Sequence, residues 1–512
     1  MRPLPRLFAF LAVNVALLGA ASRALALEPE VTSDTSAQFY DVRSPTGQTI
    51  VARRRLTTTL GVGAYDLLGN QASPDRLGKK PLPELTFRAR LRYDADYGPG
   101  GGSEDPNNND LLVPGFSRGP VDLMYAYIEG RKFAGGWLGF KLGRQYVVDS
   151  LGWWSFDGGL VRVTTPFYFA LEGYGGFEVR GGMPLSSPRF EGAGVWRGDR
   201  GGYDPSLYPA FQPAQIAPAM GFALESTGFT WLHGRFTYRR VYNTGGSSVS
   251  QFTSGLRPPV DYDETRISQE RIGYGVDGTL PNVGGARAGF AYDLYMAKMA
   301  NIFGSIDAFV TPRLTLSLDY DYYSPTYDAD SIWNFFAGSP TNDIAARASW
   351  DIRDDLAVAG RFNVRVFQTQ TSSFHANSSP NINPSADAND YPSSGATFDE
   401  GGYLSVTQKQ GENVHGLRAN GNFGKEGNRM GGDLFVNRVY DGRYLFEGRG
   451  SIWHWDDRLR PDRDATSYGF VAAVGYRMAP RSKVLFEYQA DVNRLSGVRS
   501  RAMIWLTVAV TR

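Results

Sequence analysis

The sequence contains no cysteine, only four histidines and, by count, only eight lysines in 512 residues. Without cysteine the chain cannot form disulfide bonds, thiolate metal sites or cysteine nucleophiles. Four histidines also give little material for a histidine-rich metal centre. The 53 basic and 52 acidic residues leave a net charge of +1, which gives no reason to expect a nucleic-acid partner. We therefore expect neither a cofactor nor a bound metal ion.

Long apolar runs are also scarce, and the one we find lies near the N-terminus. Within residues 1–26, Arg2 and Arg6 precede an apolar run over 7–21, and Ala24 and Ala26 form a small-x-small cleavage site. This order predicts a secretory signal peptide. The alternative, an uncleaved membrane anchor, would need a longer run to cross a bilayer.

Alternation of apolar and polar residues is the main positive feature of the chain. Over residues 84–97 the odd positions are Leu, Phe, Ala or Tyr, whereas the even positions are charged or Thr. Successive side chains of a β-strand point to opposite faces, so this segment is predicted to be a strand with one apolar and one charged face. Residues 314–323 and 484–492 repeat the pattern. The sequence thus indicates an all-β protein.

Strand length and loop length favour a transmembrane barrel over a soluble sandwich. The alternating segments are about 9 to 14 residues long, whereas a strand usually has about five or six. Tight turns, as at 311–313 and 479–481, alternate with long polar loops, as at 368–401. Aromatic pairs at segment ends, such as Trp153 and Trp154, fit interfacial girdles. The bilayer core offers no hydrogen-bond partners, so every backbone N–H and C=O must be paired within the protein. The strands must therefore close into one antiparallel β-barrel.

This fold divides the chain into three parts. Residues 1–26 are the signal peptide, 27–48 a periplasmic N-terminal segment and 49–512 the outer-membrane barrel. Twenty strands are expected between residues 84 and 511, and residues 50–65 look like a further one. Since single-chain bacterial barrels usually have an even number of strands, the expected range is 18 to 22, with 20 as the best value.

If the apolar face meets lipid, the charged face lines a pore, because a charge at the lipid face costs about 2–4 kcal/mol at the bilayer midplane. Basic residues at alternating positions are the candidate pore-lining set: Arg88, Arg90, Arg92, Lys141, Arg235, Arg239, Arg361 and Arg365. Fixed positive charge in a narrow pore favours anions. The alternative is that facing acids neutralise these arginines. The densest ladder, Arg88 to Arg92, is the best candidate for a selectivity element.

Three further features each have two interpretations. The long loop 181–217 either constricts the pore or folds outward. The acidic, amide-rich run 104–110 is either a surface loop or a calcium site, although it lacks EF-hand spacing. His454 and Asp456 stand two residues apart on one strand face, an arrangement that a barrel hydrolase could use. Because such a pair also arises by chance, we expect the protein not to be an enzyme.

A short motif resembles a known family. Leu142-Gly143-Arg144-Gln145 followed by Phe156-Asp157-Gly158 is similar to a pattern in porin-like bacterial outer-membrane barrels of the alginate-export type. The resemblance covers fewer than twenty residues. It implies a monomeric or homotrimeric channel for a hydrophilic solute, with acidic polysaccharide as one substrate class.

The combined hypothesis is a Gram-negative outer-membrane channel that passes hydrophilic solutes passively, with a preference for anions. Its expected partners are outer-membrane lipid and lipopolysaccharide, the barrel-assembly machinery and the solute. The alternative is a plugged, non-conducting barrel that serves as a surface receptor, adhesin or assembly scaffold. The presence or absence of ion conduction distinguishes the two.

Overall fold

The computed structural model describes residues 28–69, 82–96, 121–179, 217–244, 265–326, 340–367, 397–424, 427–457, 462 and 464–511. The expected signal peptide, the acidic run 104–110 and all but the last residue of loop 181–217 lie outside these residues. Within the described part, the helical segments are all too short to be candidates for crossing a membrane.

The chain forms 22 β-strands, and most are longer than the strands of ordinary globular proteins. The first eleven are β1 (Glu28–Arg43), β2 (Thr49–Tyr65), β3 (Glu84–Asp96), β4 (Val121–Lys132), β5 (Leu138–Asp149), β6 (Gly152–Thr164), β7 (Phe169–Glu178), β8 (Pro218–Ser226), β9 (Leu232–Thr244), β10 (Thr265–Leu280) and β11 (Gly284–Asp293). The others are β12 (Lys298–Thr311), β13 (Leu314–Tyr323), β14 (Thr341–Arg353), β15 (Leu356–Phe367), β16 (Thr397–Gln410), β17 (Asn413–Gly424), β18 (Gly427–Tyr440), β19 (Tyr444–Asp457), β20 (Ala465–Ala479), β21 (Ser482–Asn493) and β22 (Gly497–Thr511).

The 22 strands close into a single barrel. Each strand pairs with the next one in antiparallel register, and β1 pairs with β22 from Glu30 opposite Thr511 to Arg43 opposite Val498. This confirms the all-β barrel and the range of 18 to 22 strands, whereas the best value of 20 was too low by two. The turns at 311–313, 353–355 and 479–481 all lie at one end of the barrel, in agreement with the alternation of tight turns and long loops.

The strand that the sequence analysis missed is β1. Residues 27–48 were expected to form a periplasmic segment, but Glu28–Arg43 pairs with β2 on one side and β22 on the other. Its outer face carries small polar residues such as Ser33 and Thr35, whose side chains are buried between larger neighbours. Apolar alternation is therefore weak in β1, and backbone hydrogen bonds to two strands hold it instead.

The two faces of the wall differ in chemistry and in crowding. One face carries large apolar side chains, such as Leu142 and Ile306, which are 55% and 61% exposed in the isolated chain. The other face carries most charged residues of the strands and includes Thr237 and Arg239, which are almost fully buried. Side chains converge inside a closed barrel and diverge outside it, so the crowded polar face lines the interior.

Candidate functional site

The end of the β5–β6 hairpin extends beyond the wall of the barrel. The register of β4 with β5 reaches Arg144 opposite Ala126, whereas β5 and β6 stay paired as far as Asp149 opposite Gly152. The register of β6 with β7 likewise ends at Phe156. Residues 145–155 are therefore paired mainly with each other, and we call this segment the inner hairpin.

The tip of the inner hairpin reaches the inner faces of β9 and β10. The Arg239 Nη2 atom on β9 donates a hydrogen bond to the Leu151 carbonyl oxygen at 3.2 Å. At Gly273 on β10, atoms of Ser150 and Leu151 occupy the space that a side chain would fill. The hairpin thus crosses over β7 and β8 as a second layer on the wall. Because two packed sheets lie about 10 Å apart, this layer narrows one side of the interior.

An apolar core joins the inner hairpin to the wall. The indole of Trp154 stacks on Phe156 with ring centres 4.5 Å apart, and both rings contact Tyr174 on β7. Val147 and Val241 belong to the same cluster, and Phe156 has no exposed surface. Burying one large apolar side chain contributes roughly 1.5–3 kcal/mol. A hydrophobic core therefore fixes the base of the hairpin on the inner side of the barrel wall.

Glycine on β8 makes room for this core. A Cβ atom at Gly221 would lie 2.4 Å from the ring of Tyr174, which crosses above it. The Tyr174 hydroxyl then donates a hydrogen bond to the Tyr238 carbonyl oxygen on β9 at 3.2 Å. One tyrosine thereby spans from β7 to β9 beneath the hairpin.

The motif that resembles the alginate-export family lies where the hairpin leaves the wall. Arg144 donates from Nε and Nη2 to the two carboxylate oxygens of Asp157, both at 2.7 Å. Gly143 has a φ of +123°, and a Cβ there would lie 2.3 Å from the Ala126 carbonyl oxygen. A Cβ at Gly158 would lie 2.1 Å from the carbonyl oxygen of Gly175. The motif therefore builds a close-packed hinge with a bidentate ion pair.

A four-residue ion network lies on the wall beside the hairpin. Arg162 on β6 donates to Glu172 at 2.6 Å and to Glu225 at 2.7 Å, and Arg235 on β9 donates to the same two carboxylates at 2.5 and 2.7 Å. His233 contacts Glu225 at 3.3 Å. Each glutamate thus accepts from two arginines, which offsets the cost of removing these charges from water.

All eight basic residues of the candidate pore-lining set lie on strands at positions of the polar, inner face. They differ greatly in access to the interior. Arg239 is 2% exposed under the hairpin, and Arg235 is held in the ion network. Lys141 stays accessible and lies 3.6 Å from Glu129. A contact of any of the eight with solute stays a prediction.

The arginine ladder on β3 is not uniform. Arg88 lies over the ring of Tyr65, with its guanidinium carbon 5.1 Å from the ring centre. Arg90 donates to Asp34 at 2.7 Å, and Arg92 is largely buried. The ladder therefore combines one arginine on a ring, one that is neutralised by a carboxylate and one that is shielded from solvent.

Across the barrel, half of its 22 strands away, β13 and β14 carry acids as well as arginines. Asp321 and Asp343 stand opposite each other in register, so they share the inner face. Arg361 and Arg365 on β15 both pair with Asp343 at 3.1 Å. This side of the interior is thus mixed in charge.

Two lumen arginines are held by aromatic rings. Arg418 lies 4.0 Å from the ring centre of Tyr403, and Arg429 lies 4.4 Å from that of Trp453. Alternation places Arg418 in the interior, but only the register shows its ring partner. A ring holds a guanidinium in place without neutralising its charge.

The aromatic girdle assignment of Trp153 and Trp154 was wrong. Trp154 is 5% exposed inside the barrel, where its Nε1 atom donates to Glu178 at 2.9 Å. Trp153 lies on the lumen side of the inner hairpin, 6.1 Å from the ring of Tyr146. Neither faces lipid because the hairpin has left the wall, a departure that local alternation does not reveal.

His454 and Asp456 lie in contact on the apolar, outer face of β19. The His454 Nε2 atom lies 2.8 Å from Asp456, and Nδ1 lies 2.9 Å from the Thr466 hydroxyl. The pair therefore points away from the interior. Among the described residues, no cluster of three or more His, Asp or Glu side chains is arranged to hold a metal ion.

No protein-family model matches this sequence, and no curated protein matches it. Solved structures with a similar chain course include Acinetobacter baumannii OccAB4, at 7% identity, TM-score 0.43 and coverage of 95% of this chain and 98% of that one. Pseudomonas aeruginosa OpdL, at 8% identity, and OpdK with vanillate, at 9%, each have a TM-score of 0.41 and cover 95% of this chain and 99% of theirs.

The pairing of all 22 strands shows that the chain is a closed antiparallel β-barrel. The resemblance to the alginate-export type gains no support from these comparisons and stays a prediction.

Proposed function

We propose that this protein is an outer-membrane channel for hydrophilic solutes, with a preference for anions. The observation that supports it is the two-sided wall, which is apolar outside and charged inside around a closed barrel. A barrel of this size encloses a wide interior. Passage needs no covalent chemistry, because pore width and fixed charge determine which solutes cross.

The preference for anions is supported by arginines that keep their charge on the inner face. Arg418 and Arg429 rest on aromatic rings, and Arg361 and Arg365 share the single carboxylate of Asp343. Arg365 remains half exposed. These cations would raise the local concentration of anions in the pore. Acidic polysaccharide is one such anionic solute, implied by the family resemblance alone.

A plugged, non-conducting barrel is the second candidate, because the inner hairpin places a hydrophobic core inside the barrel. Such a barrel would act as a receptor, adhesin or scaffold. Among the described residues this core lies against β7 to β9, whereas the inner faces of β13 to β21 carry arginines and acids with scattered aromatic rings such as Phe435 and Trp453. This one-sided filling favours the channel.

Single-channel recording in a planar bilayer under a KCl gradient tests the proposal. Stable current steps with a reversal potential on the anion side are expected. Folded barrels, verified by heat-dependent gel mobility, that carry no current would overturn the channel and favour the plugged barrel. A cation-side reversal potential would overturn the anion preference alone.

Replacing both Arg361 and Arg365 by Gln should move the reversal potential towards the cation side, because Asp343 then keeps an uncompensated charge in the interior. The matched control is the double variant Arg313→Gln, Arg353→Gln, which removes two exposed arginines from turns at the barrel rim. An equal shift in both variants would show that the lumen arginines have no special role in ion selectivity.

A further inference from the structure

Arg239 lies between the wall and the inner hairpin rather than in open pore. Its guanidinium carbon is 5.2 Å from the ring centre of Trp154, and its Nη2 atom donates to the Leu151 carbonyl oxygen. Burial of an arginine is unfavourable unless other groups hold its charge. The ring and the carbonyl oxygen that contact its guanidinium both belong to the hairpin, so Arg239 joins the hairpin to the wall.

The hairpin tip supplies a carboxylate to the same region. Asp149 accepts the Leu151 backbone N–H at 2.8 Å, which fixes the turn whose carbonyl contacts Arg239. Asp149 and Arg239 also attract each other electrostatically. The Trp154 ring, the Leu151 carbonyl oxygen and the Asp149 carboxylate thus all interact with the guanidinium of Arg239.

The two ends of the inner hairpin are held in different ways. At the base, the hinge pair Arg144–Asp157 and the buried Phe156 fix the hairpin through many contacts. At the tip, Arg239 supplies the hydrogen bond to the wall, and Gly273 leaves room for Ser150 and Leu151. Loss of the Arg239 side chain would therefore release the tip while the base stays docked.

We propose that Arg239 is a positioning residue that latches the tip of the inner hairpin to β9 and β10 and thereby holds the channel in its constricted form. The effect on conduction rests on the proposed channel function. Docking of the tip does not, and it can be measured without any current.

The chain offers a direct way to measure docking. A Cβ atom at Gly275 on β10 would lie 4.0 Å from the Cβ of Ser150, within the range of about 3.5–4.5 Å found in disulfides. Since the sequence has no cysteine, a Ser150→Cys, Gly275→Cys variant contains one possible disulfide. Oxidation should lock the tip to the wall, and gel mobility without reductant reports the yield.

Adding Arg239→Ala to this pair should slow disulfide formation about tenfold, equivalent to about 1.4 kcal/mol of docking free energy. Loss of one hydrogen bond to a charged group accounts for a change of this size. Arg239→Lys keeps the charge but loses the planar group that both stacks and donates. It should therefore behave like Arg239→Ala rather than like the parent. Heat-dependent gel mobility verifies that each barrel has folded.

Conductance then tests the consequence of docking. Arg239→Ala in the reduced double-cysteine background should give larger and noisier current steps, and oxidation of the same sample should restore the steps of the oxidised parent. Steps that stay altered after oxidation would overturn the proposal, because they would show that Arg239 acts on ions through its charge.

Equal crosslinking rates with and without Arg239 would also overturn the latch. A folded parent that carries no current would refute the channel function instead, while the crosslinking rates would still decide whether Arg239 holds the tip.

Discussion

The sector β5–β10 and the sector β13–β21 have the same strand pattern but different interiors. In the first, the inner hairpin covers part of the wall. Polar groups there are buried beneath it, as Arg239 is, or paired beside it, as in the Arg162–Glu172–Glu225–Arg235 network. In the second, inner side chains such as Arg365 remain open to the lumen. The comparison shows that facing inward does not by itself make a residue pore-lining.

Removing the hydrophobic core should have the largest effect. Trp154→Ala is expected to destabilise the barrel by about 3–5 kcal/mol, the usual cost of truncating a buried Trp or Phe, and to undock the hairpin. Urea unfolding in detergent, followed by far-UV circular dichroism, measures the change. The matched control is Phe435→Ala, an inner aromatic on β18 that is less buried. Equal losses would mean that the two sectors do not differ in packing.

Breaking the ion network should have the next largest effect. Arg235→Ala leaves Glu172 and Glu225 with only Arg162, and the loss of hydrogen bonds to charged groups should cost about 1.5–3 kcal/mol. Arg449→Ala is the control, because Arg449 pairs with Asp433 but is 55% exposed; such pairs contribute about 0–1 kcal/mol. Urea midpoints compare the two variants. A larger loss of stability for Arg449→Ala than for Arg235→Ala would contradict the greater contribution expected of the buried network.

The hinge offers the smallest of these contrasts. Gly158→Ala would place a Cβ atom 2.1 Å from the Gly175 carbonyl oxygen, which is too close for a carbon atom. Overpacking of this kind costs about 1–3 kcal/mol of stability. Gly448→Ala on β19 meets no atom within 4 Å and should be nearly neutral. Thermal shifts in gel mobility rank the two. An unchanged thermal midpoint for Gly158→Ala would show that the backbone of the hinge can move to accommodate a Cβ atom.

Much of the wall could be predicted because alternation is a local property. Each of the twenty strands expected between residues 84 and 511 has a counterpart, and residues 50–65 correspond to β2. The two-sidedness of the wall and the tight turns at one end follow from the same pattern. Prediction failed at β1, because the small polar residues Ser33 and Thr35 interrupt the apolar positions of its outer face.

The candidate site was predicted less well than the fold. Alternation identified inner-face positions for Arg88, Arg235 and Arg239, but it predicted all three equally as pore-lining residues. The structure distinguishes an arginine over a ring, an arginine in an ion network and an arginine beneath a second layer. These differences depend on partners that are distant in sequence, as for Arg239 and Leu151.

The sequence by itself determined where the strands lie, which face of each is apolar and where the chain turns, since period-two alternation and turn residues act over a few positions. Only the tertiary structure decided that β1 closes the barrel and that residues 145–155 leave the wall to bury Trp154 and Arg239. Closure by β1 depends on pairing between strands that lie at opposite ends of the chain. The departure of the hairpin depends on the space that glycines such as Gly221 and Gly273 leave on the inner face of the wall.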